Sequence, residues 1–213
     1  MLPQEIEDVF IKIREKIINC EYLSGQSLPE VLLAEEYGVK RTRIRQILQK
    51  LESINFVEMI PGKGSFVKAI APEDLRDIFE MRESLEGLAA KLAARRRDER
   101  EIDEVLDFYD KYDINAHADN LNSWFECATK FHTFVLDNCR NKLVLRSMSL
   151  LMLQIKRVWH DSLNVSGRFV DAFEEHKKIL EAIKDKNEAK AETLMKKHVN
   201  DAFQMFVTFL LGH

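Results

Sequence analysis

From Leu75 to the C-terminus, apolar residues return every three or four positions with little interruption, and this constrains the fold more than any other feature. Such a period describes helix, and the chain has only seven Gly and four Pro in 213 residues to break it. Helices are predicted over 73–95, 99–112, 118–138, 141–163, 168–184 and 188–211, with breaks at Asp98, Asn115-Ala116, Arg140, Ser166-Gly167 and Lys186-Asn187. Six helices with short connections make a bundle. Apolar residues at 46% and charged residues at 32% supply a core and a hydrated surface, which excludes a disordered chain.

The first third reads differently. Ile6, Val9, Phe10, Ile13, Ile17 and Ile18 give one amphipathic helix from Pro3 to Cys20. A turn over Leu23–Leu28 follows, and Pro29 opens a short helix with Leu32, Leu33 and Ala34 that stops at Gly38. A third helix, 41–53, places Ile44, Ile47, Leu48 and Leu51 inside. Two short strands, 56–60 and 65–68, flank the hairpin tip Pro61-Gly62-Lys63-Gly64. Three helices and a hairpin describe a winged helix-turn-helix. The expected fold is therefore mainly α, with a winged helix-turn-helix over 1–70 and an all-α bundle over 71–213, divided where Pro72-Glu73-Asp74 opens a new helical period.

Charge gives no general reason to expect an anionic partner, since the net value is −4. Residues 1–70 carry ten Lys/Arg and ten Asp/Glu, so the negative balance lies in the bundle. No apolar run reaches the ~18–20 residues that span a bilayer. The opening Met1-Leu2-Pro3-Gln4-Glu5 lacks a signal-peptide pattern, and Cys20, Cys127 and Cys139 form no Cys-x-x-Cys. These features predict a cytoplasmic protein with reduced thiols and no membrane partner.

The sharpest local feature is Lys40-Arg41-Thr42-Arg43-Ile44-Arg45. Cations at a helix start oppose the positive end of its dipole, so helix stability alone does not account for them. An external anion does, and the first turn of the second helix of a helix-turn-helix faces base edges in the major groove. Arg41, Thr42, Arg43 and Arg45, with Lys40 beside them, are the candidate readers of double-stranded DNA; Gly62 and Lys63 at the hairpin tip are candidates for groove or phosphate contact. A solvated basic face is the plainer reading of the same run.

The residues Gly25-x2-Leu28-Pro29-Glu30, Leu33-Ala34-Glu35-x2-Gly38-Val39-x-Arg41-Thr42-x-Ile44-Arg45 and Gly62-Lys63-Gly64-Ser65-Phe66-Val67 resemble the DNA-binding domain of the GntR family of bacterial transcription regulators. The resemblance implies DNA contacts at Arg41, Thr42, Arg45 and Gly62. The chain departs from that pattern at Lys40, a usual Ser/Thr cap position, and at Arg43, a usual Pro position.

The bundle adds six His, at 117, 132, 160, 176, 198 and 213, with no two at the i,i+4 spacing of a local metal motif. Singly, each reads as a surface or satisfied core His. However, Phe79-Glu80-Met81-Arg82-x2-Leu85-Glu86, Phe131-His132, Glu175-His176-x2-Ile179 and Met195-x2-His198 resemble the FCD effector domain of the FadR branch, in its six-helix VanR-like version. That resemblance implies a divalent metal, zinc or nickel, on His132, His176 and His198, and an effector carboxylate on Arg82, with His160 a further pocket candidate. The acid that precedes the first His by four residues in metal-containing members is Ala128 here, which weakens the implied site. Water or an effector oxygen would complete a three-His shell, or the site stays empty.

The resulting expectation is a ligand-responsive transcription regulator, a repressor by family habit, acting as a homodimer on a near-palindromic operator. Its effector would be a small organic acid. Alternatives are a metal-free regulator binding an acyl-coenzyme A or other apolar ligand, and a three-His zinc hydrolase. Arg82 beside Glu80 and Glu86 also reads, more plainly, as a surface ion pair.

Overall fold

The computed structural model describes the backbone of residues 4–114, 121–162 and 168–211, and side chains over 6–114, 126–155 and 169–208. In chain order the elements are α1 (Gln4–Ile18), α2 (Glu30–Tyr37), α3 (Arg41–Ser53), β1 (Val57–Ile60), β2 (Gly64–Val67), α4 (Pro72–Arg96), α5 (Glu99–Lys111), α6 (Leu121–Cys139), α7 (Lys142–Ser162), α8 (Arg168–Lys184) and α9 (Glu188–Leu211). They form two compact units: Met1–Leu75 with Met152–Asp161, and Arg76–Leu151 with Ser162–His213.

The first unit is the winged helix-turn-helix. The inward stripe of α1 (Ile6, Val9, Phe10, Ile13, Ile17) and that of α3 (Ile44, Ile47, Leu48, Leu51) are both buried in one apolar cluster with Leu33 and Phe56. Gly38 ends α2 in the left-handed region at φ 66°, its N–H donating to Ala34 O. β1 and β2 pair antiparallel from Val57↔Val67 to Ile60↔Gly64. Their tip is a turn in which Lys63 N–H donates to Ile60 O, with Pro61 second and Gly62 third at φ 77°. Proline and a positive-φ glycine in those places are what a type II turn requires. Leu28 N–H donates to Ser65 O and Val67 N–H to Gln26 O, so the segment before α2 lines the other edge of β2.

Residues 152–161, from the second half of α7, group with this unit. Leu153 packs against its apolar cluster, and Gln154 Nε2 donates to Ile54 O at 2.6 Å, at the C-terminal end of α3. Nothing in the helical period of α7 marks where one unit takes over from the other.

The second unit consists, among the described residues, of helices from α4 through α9, and their ends fall within three residues of the periodicity reading. The predicted breaks at 115–116 and 166–167 lie outside the described residues. Side-chain caps account for several ends. Asp98 accepts from the N–H groups of Arg100 and Glu101 at the start of α5, and Asn141 from those of Leu143 and Val144 at the start of α7. Arg96 Nη1 donates to Cys139 O and Arg140 O, and Arg97 Nη2 to Lys184 O, so two guanidinium groups serve the C-terminal carbonyls of α6 and α8. The Ala89, Ala90, Ala93 and Ala94 face of α4 is buried, as are Ile102 and Val105 of α5, Phe131 of α6 and Ile179 of α8.

Candidate functional site

In the first unit, the start of α3 is an exposed cationic edge. Lys40 at the N-cap makes no side-chain capping bond, and the first turn holds no acid. Arg41, Thr42, Arg43 and Arg45 are all exposed, while Ile44 between them is fully buried and anchors the helix. Gly62 and Lys63 are exposed at the hairpin tip. Arg43 Nη1 donates to Gln46 Oε1 at 3.1 Å.

One residue of this edge escaped the sequence reading. Glu30, at the start of α2, accepts two bonds from Arg45, Nε at 2.6 Å and Nη2 at 3.0 Å, and has Arg41 Nη2 at 3.6 Å. The Arg45 hydrogen bond holds the Glu30 carboxyl below its ordinary value, against the opposing effect of partial burial. An acid in the first turn of a helix is ordinary sequence chemistry, so no local signal distinguishes it.

In the second unit, His132 of α6, His176 of α8 and His198 of α9 converge, one ring nitrogen of each lying within 4.8 Å of the others. His176 and His198 are buried, and His132 is partly so. The Nε2 atoms of His176 and His198 are 3.3 Å apart. Two of the rings are hydrogen-bonded at Nδ1, and the third has a carboxylate oxygen beside it. His132 Nδ1 lies 3.2 Å from Glu86 Oε2, His176 Nδ1 lies 3.1 Å from Tyr109 Oη, and His198 Nδ1 lies 2.7 Å from Glu175 Oε2. Phe131 stacks on His176 with centroids 4.0 Å apart and planes 11° apart. Burial, opposed by Glu175, lowers the pKa of His198 and favours its neutral ring.

These donors suit a divalent cation. Two nitrogens at about 2.0–2.1 Å from a tetrahedral zinc stand about 3.3–3.4 Å apart, and the Nε2 pair shows that spacing. Ala128 lies on α6 one turn before His132 and offers no ligand atom; Glu126 is exposed.

Against the same cluster lies a buried ion pair. Arg82 Nε donates to Glu86 Oε1 at 2.7 Å, with side chains 4% and 3% exposed. The surface reading of Arg82 is therefore wrong, because both charges point into the bundle. Arg82 Nη1 and Glu86 Oε2 are buried without a hydrogen bond among the described residues, and the guanidinium lies 4.9 Å from the Phe79 ring centre. Burial pushes the Glu86 carboxyl up, yet Arg82 and His132 together hold it well below the usual carboxylate range. The side chain of His160 lies outside the described residues, as do His117 and His213.

Residues 5–67 match the bacterial regulatory proteins of the gntR family, and residues 77–201, more than half of the chain, match the FCD domain. The chain belongs to the GntR family. This GntR protein is 28% identical over 208 residues to the HTH-type transcriptional regulator LutR of Bacillus subtilis, a match covering 87% of the chain and 93% of the relative. It is 22% identical over 201 residues to the Nta operon transcriptional regulator of Aminobacter aminovorans, covering 92% and 91%. The fold is that of E. coli McbR/YncC, with a TM-score of 0.74 at 15% identity over 98% of this chain and 100% of that one. A putative GntR regulator from Rhodococcus sp. RHA1 gives 0.70 at 21% identity over 96% and 98%. These relatives are transcription regulators rather than enzymes, so the hydrolase alternative falls. Among the described residues no helix of this GntR protein is long and apolar enough to cross a membrane.

Proposed function

We propose that this GntR-type regulator is a cytoplasmic homodimeric repressor whose FCD domain senses a small organic acid beside a divalent metal. The observation that carries the reading is the convergence of three imidazoles next to a buried arginine with an unpartnered N–H group. His132, His176 and His198 would hold the ion, with zinc favoured by the 3.3 Å spacing of two ring nitrogens. The bound ion would supply a Lewis-acidic docking point for an anionic oxygen. Arg82 would bind the effector carboxylate through Nη1, its Nε being committed to Glu86. The Phe79 ring centre lies 4.9 Å from the guanidinium, and the burial of Arg82 would shield a bound anion from competing water.

Lys40, Arg41, Thr42, Arg43, Arg45, Gly62 and Lys63 would meet double-stranded DNA, the arginines at base edges and Lys63 at phosphate or groove. Support for a second copy comes from Met81 and Leu88 on α4 and Leu143 and Leu150 on α7, large apolar side chains left exposed at seven-residue spacing, which returns to the same helix face. A twofold pair would read a near-palindrome. Among the relatives, GlaR of E. coli and a D-xylose utilization operon regulator of Paenarthrobacter nicotinovorans carry the name of repressor, which favours repression here. Regulation needs only that the effector bind the DNA-competent and DNA-incompetent arrangements with different affinity.

The test is binding of the protein to labelled duplex from its own upstream region, with and without zinc, across a panel of small carboxylates. The reading expects zinc in the purified protein and release of DNA by at least one carboxylate. Zinc-free protein that ignores every carboxylate contradicts it.

A further inference from the structure

We infer that Gln46 is a specificity-determining residue of the DNA interface and that Arg43 is its positioning residue, turning a glutamine that would by itself favour adenine into a reader of guanine. The inference rests on the DNA-binding reading above and deepens it.

The directions of the side chains on α3 separate the two roles. Ile44, Ile47, Leu48 and Leu51 are buried and mark the inward side of the helix. At about 100° per residue, Thr42 and Gln46 stand within about 30° of the opposite, outward direction, whereas Arg41 and Arg43 lie about 90–110° from it, one on each flank. Gln46 is exposed and stands one turn after Thr42, near the start of the helix that meets base edges in this fold. Arg43 reaches from its flank toward that stripe, and its Nη1 donates to Gln46 Oε1 at 3.1 Å. The acid of α2 is engaged elsewhere: Glu30 bonds Arg45, on the other flank.

Chemistry fixes which end of the amide faces Arg43. A guanidinium has donors and no acceptor, so the atom turned to it is the oxygen, and Nε2 is the end left over. A glutamine reads adenine in the major groove by accepting from N6–H and donating to N7, which needs its oxygen at the base edge. Here that oxygen already accepts from a cation. A second N–H brought to it meets the positive guanidinium. The N7 and O6 acceptors of guanine meet donors instead, from Gln46 Nε2 and from the Arg43 N–H groups that Gln46 does not engage. In water an exposed pair of this spacing is weak. Docking on a duplex removes water from it, and a charge-assisted bond strengthens as its surroundings dry.

The test is in vitro selection of duplexes from a randomised library by the full-length protein, followed by anisotropy on single-base variants of the selected motif. Gln46 and Arg43 are both exposed, so replacing them leaves the core of the unit intact. Gln46→Ala should erase the preference at one position of the motif and leave the others in place. At that position the wild type should bind guanine about 3- to 10-fold more tightly than adenine, the range of one net hydrogen bond. Arg43→Ala should bring adenine level with guanine there or above it, and Arg43→Lys, which restores a cationic donor, should keep guanine ahead. A role for Arg43 at phosphate alone would lower affinity for every sequence and leave the preference unchanged, and that result overturns the proposal. So does an unchanged motif in Gln46→Ala, or adenine ahead of guanine in the wild type at the position that depends on Gln46. If Arg45→Ala alters the motif and Gln46→Ala does not, the DNA-binding reading stands and this inference alone falls. If the wild type selects no motif, both fall.

Discussion

Glu30 and Arg45 are joined side-on, the carboxylate spanning Nε and Nη2 at 2.6 and 3.0 Å, although fifteen residues separate them. An arginine has two edges that can bind in a fork, and this contact uses the lateral one. The outer edge, Nη1 with the second hydrogen of Nη2, stays open to solvent on a side chain 59% exposed. The acid of α2 therefore aims a side chain of α3.

Arg45→Ala is expected to cost roughly ten- to a hundredfold in affinity for a selected operator duplex and to relax the base preference at one position. Glu30→Gln should lower the ratio of specific to non-specific binding, because it frees the fork while removing a negative charge that repels phosphate. Lys63→Ala should weaken binding to all sequences alike and reduce the salt slope by about one. Fluorescence anisotropy over a salt series with matched and scrambled duplexes checks all three. Equal specificity ratios in wild type and Glu30→Gln would refute the aiming role.

Breaking the buried pair of the bundle should be expensive. Arg82→Met leaves the buried Glu86 carboxylate with only His132 beside it and is expected to destabilise the fold by about 3–5 kcal/mol. The double variant Arg82→Met/Glu86→Leu should recover much of that loss, because burying two apolar groups avoids two desolvated charges. Urea unfolding of wild type, both single variants and the double variant gives the coupling directly.

Zinc should raise the thermal midpoint of the protein and chelator should lower it. At a free concentration one hundred times the dissociation constant, the stabilisation is about 2.7 kcal/mol. His176→Ala should abolish the shift, since it removes a fully buried ring at the centre of the cluster. Scanning fluorimetry with zinc, nickel and chelator measures it, and an unchanged zinc response in His176→Ala would exclude the cluster as the binding place.

Leu143, 76% exposed, and Leu150, 50% exposed, stand on one face of α7 and test the oligomer. Leu143→Glu/Leu150→Glu should convert a dimer to a monomer in light scattering and sharply weaken operator binding, while leaving the far-ultraviolet circular dichroism unchanged. A double variant that remains dimeric would place the contact elsewhere.

The helices and the hairpin were legible because each is governed by local rules. Apolar spacing of three to four marked the buried stripes of α1 and α3, Gly38 marked a left-handed cap, and Pro61-Gly62 marked the turn. The basic start of α3 was legible for the same reason, since charge at a dipole end is a property of neighbours in sequence. His132, His176 and His198 were named from a resemblance, not from spacing, because residues 44 and 22 apart on three helices obey no local rule.

What the chain decides by itself is therefore its elements, its winged helix-turn-helix and the chemistry of its exposed basic turn. Tertiary structure alone decided that Glu30 grips Arg45, that Arg82 and Glu86 turn inward, that three imidazoles meet, and that 152–161 joins the first unit. The reason is range. Backbone preference and amphipathic period act over a few residues, whereas a buried polar contact exists only once packing has removed water from both partners.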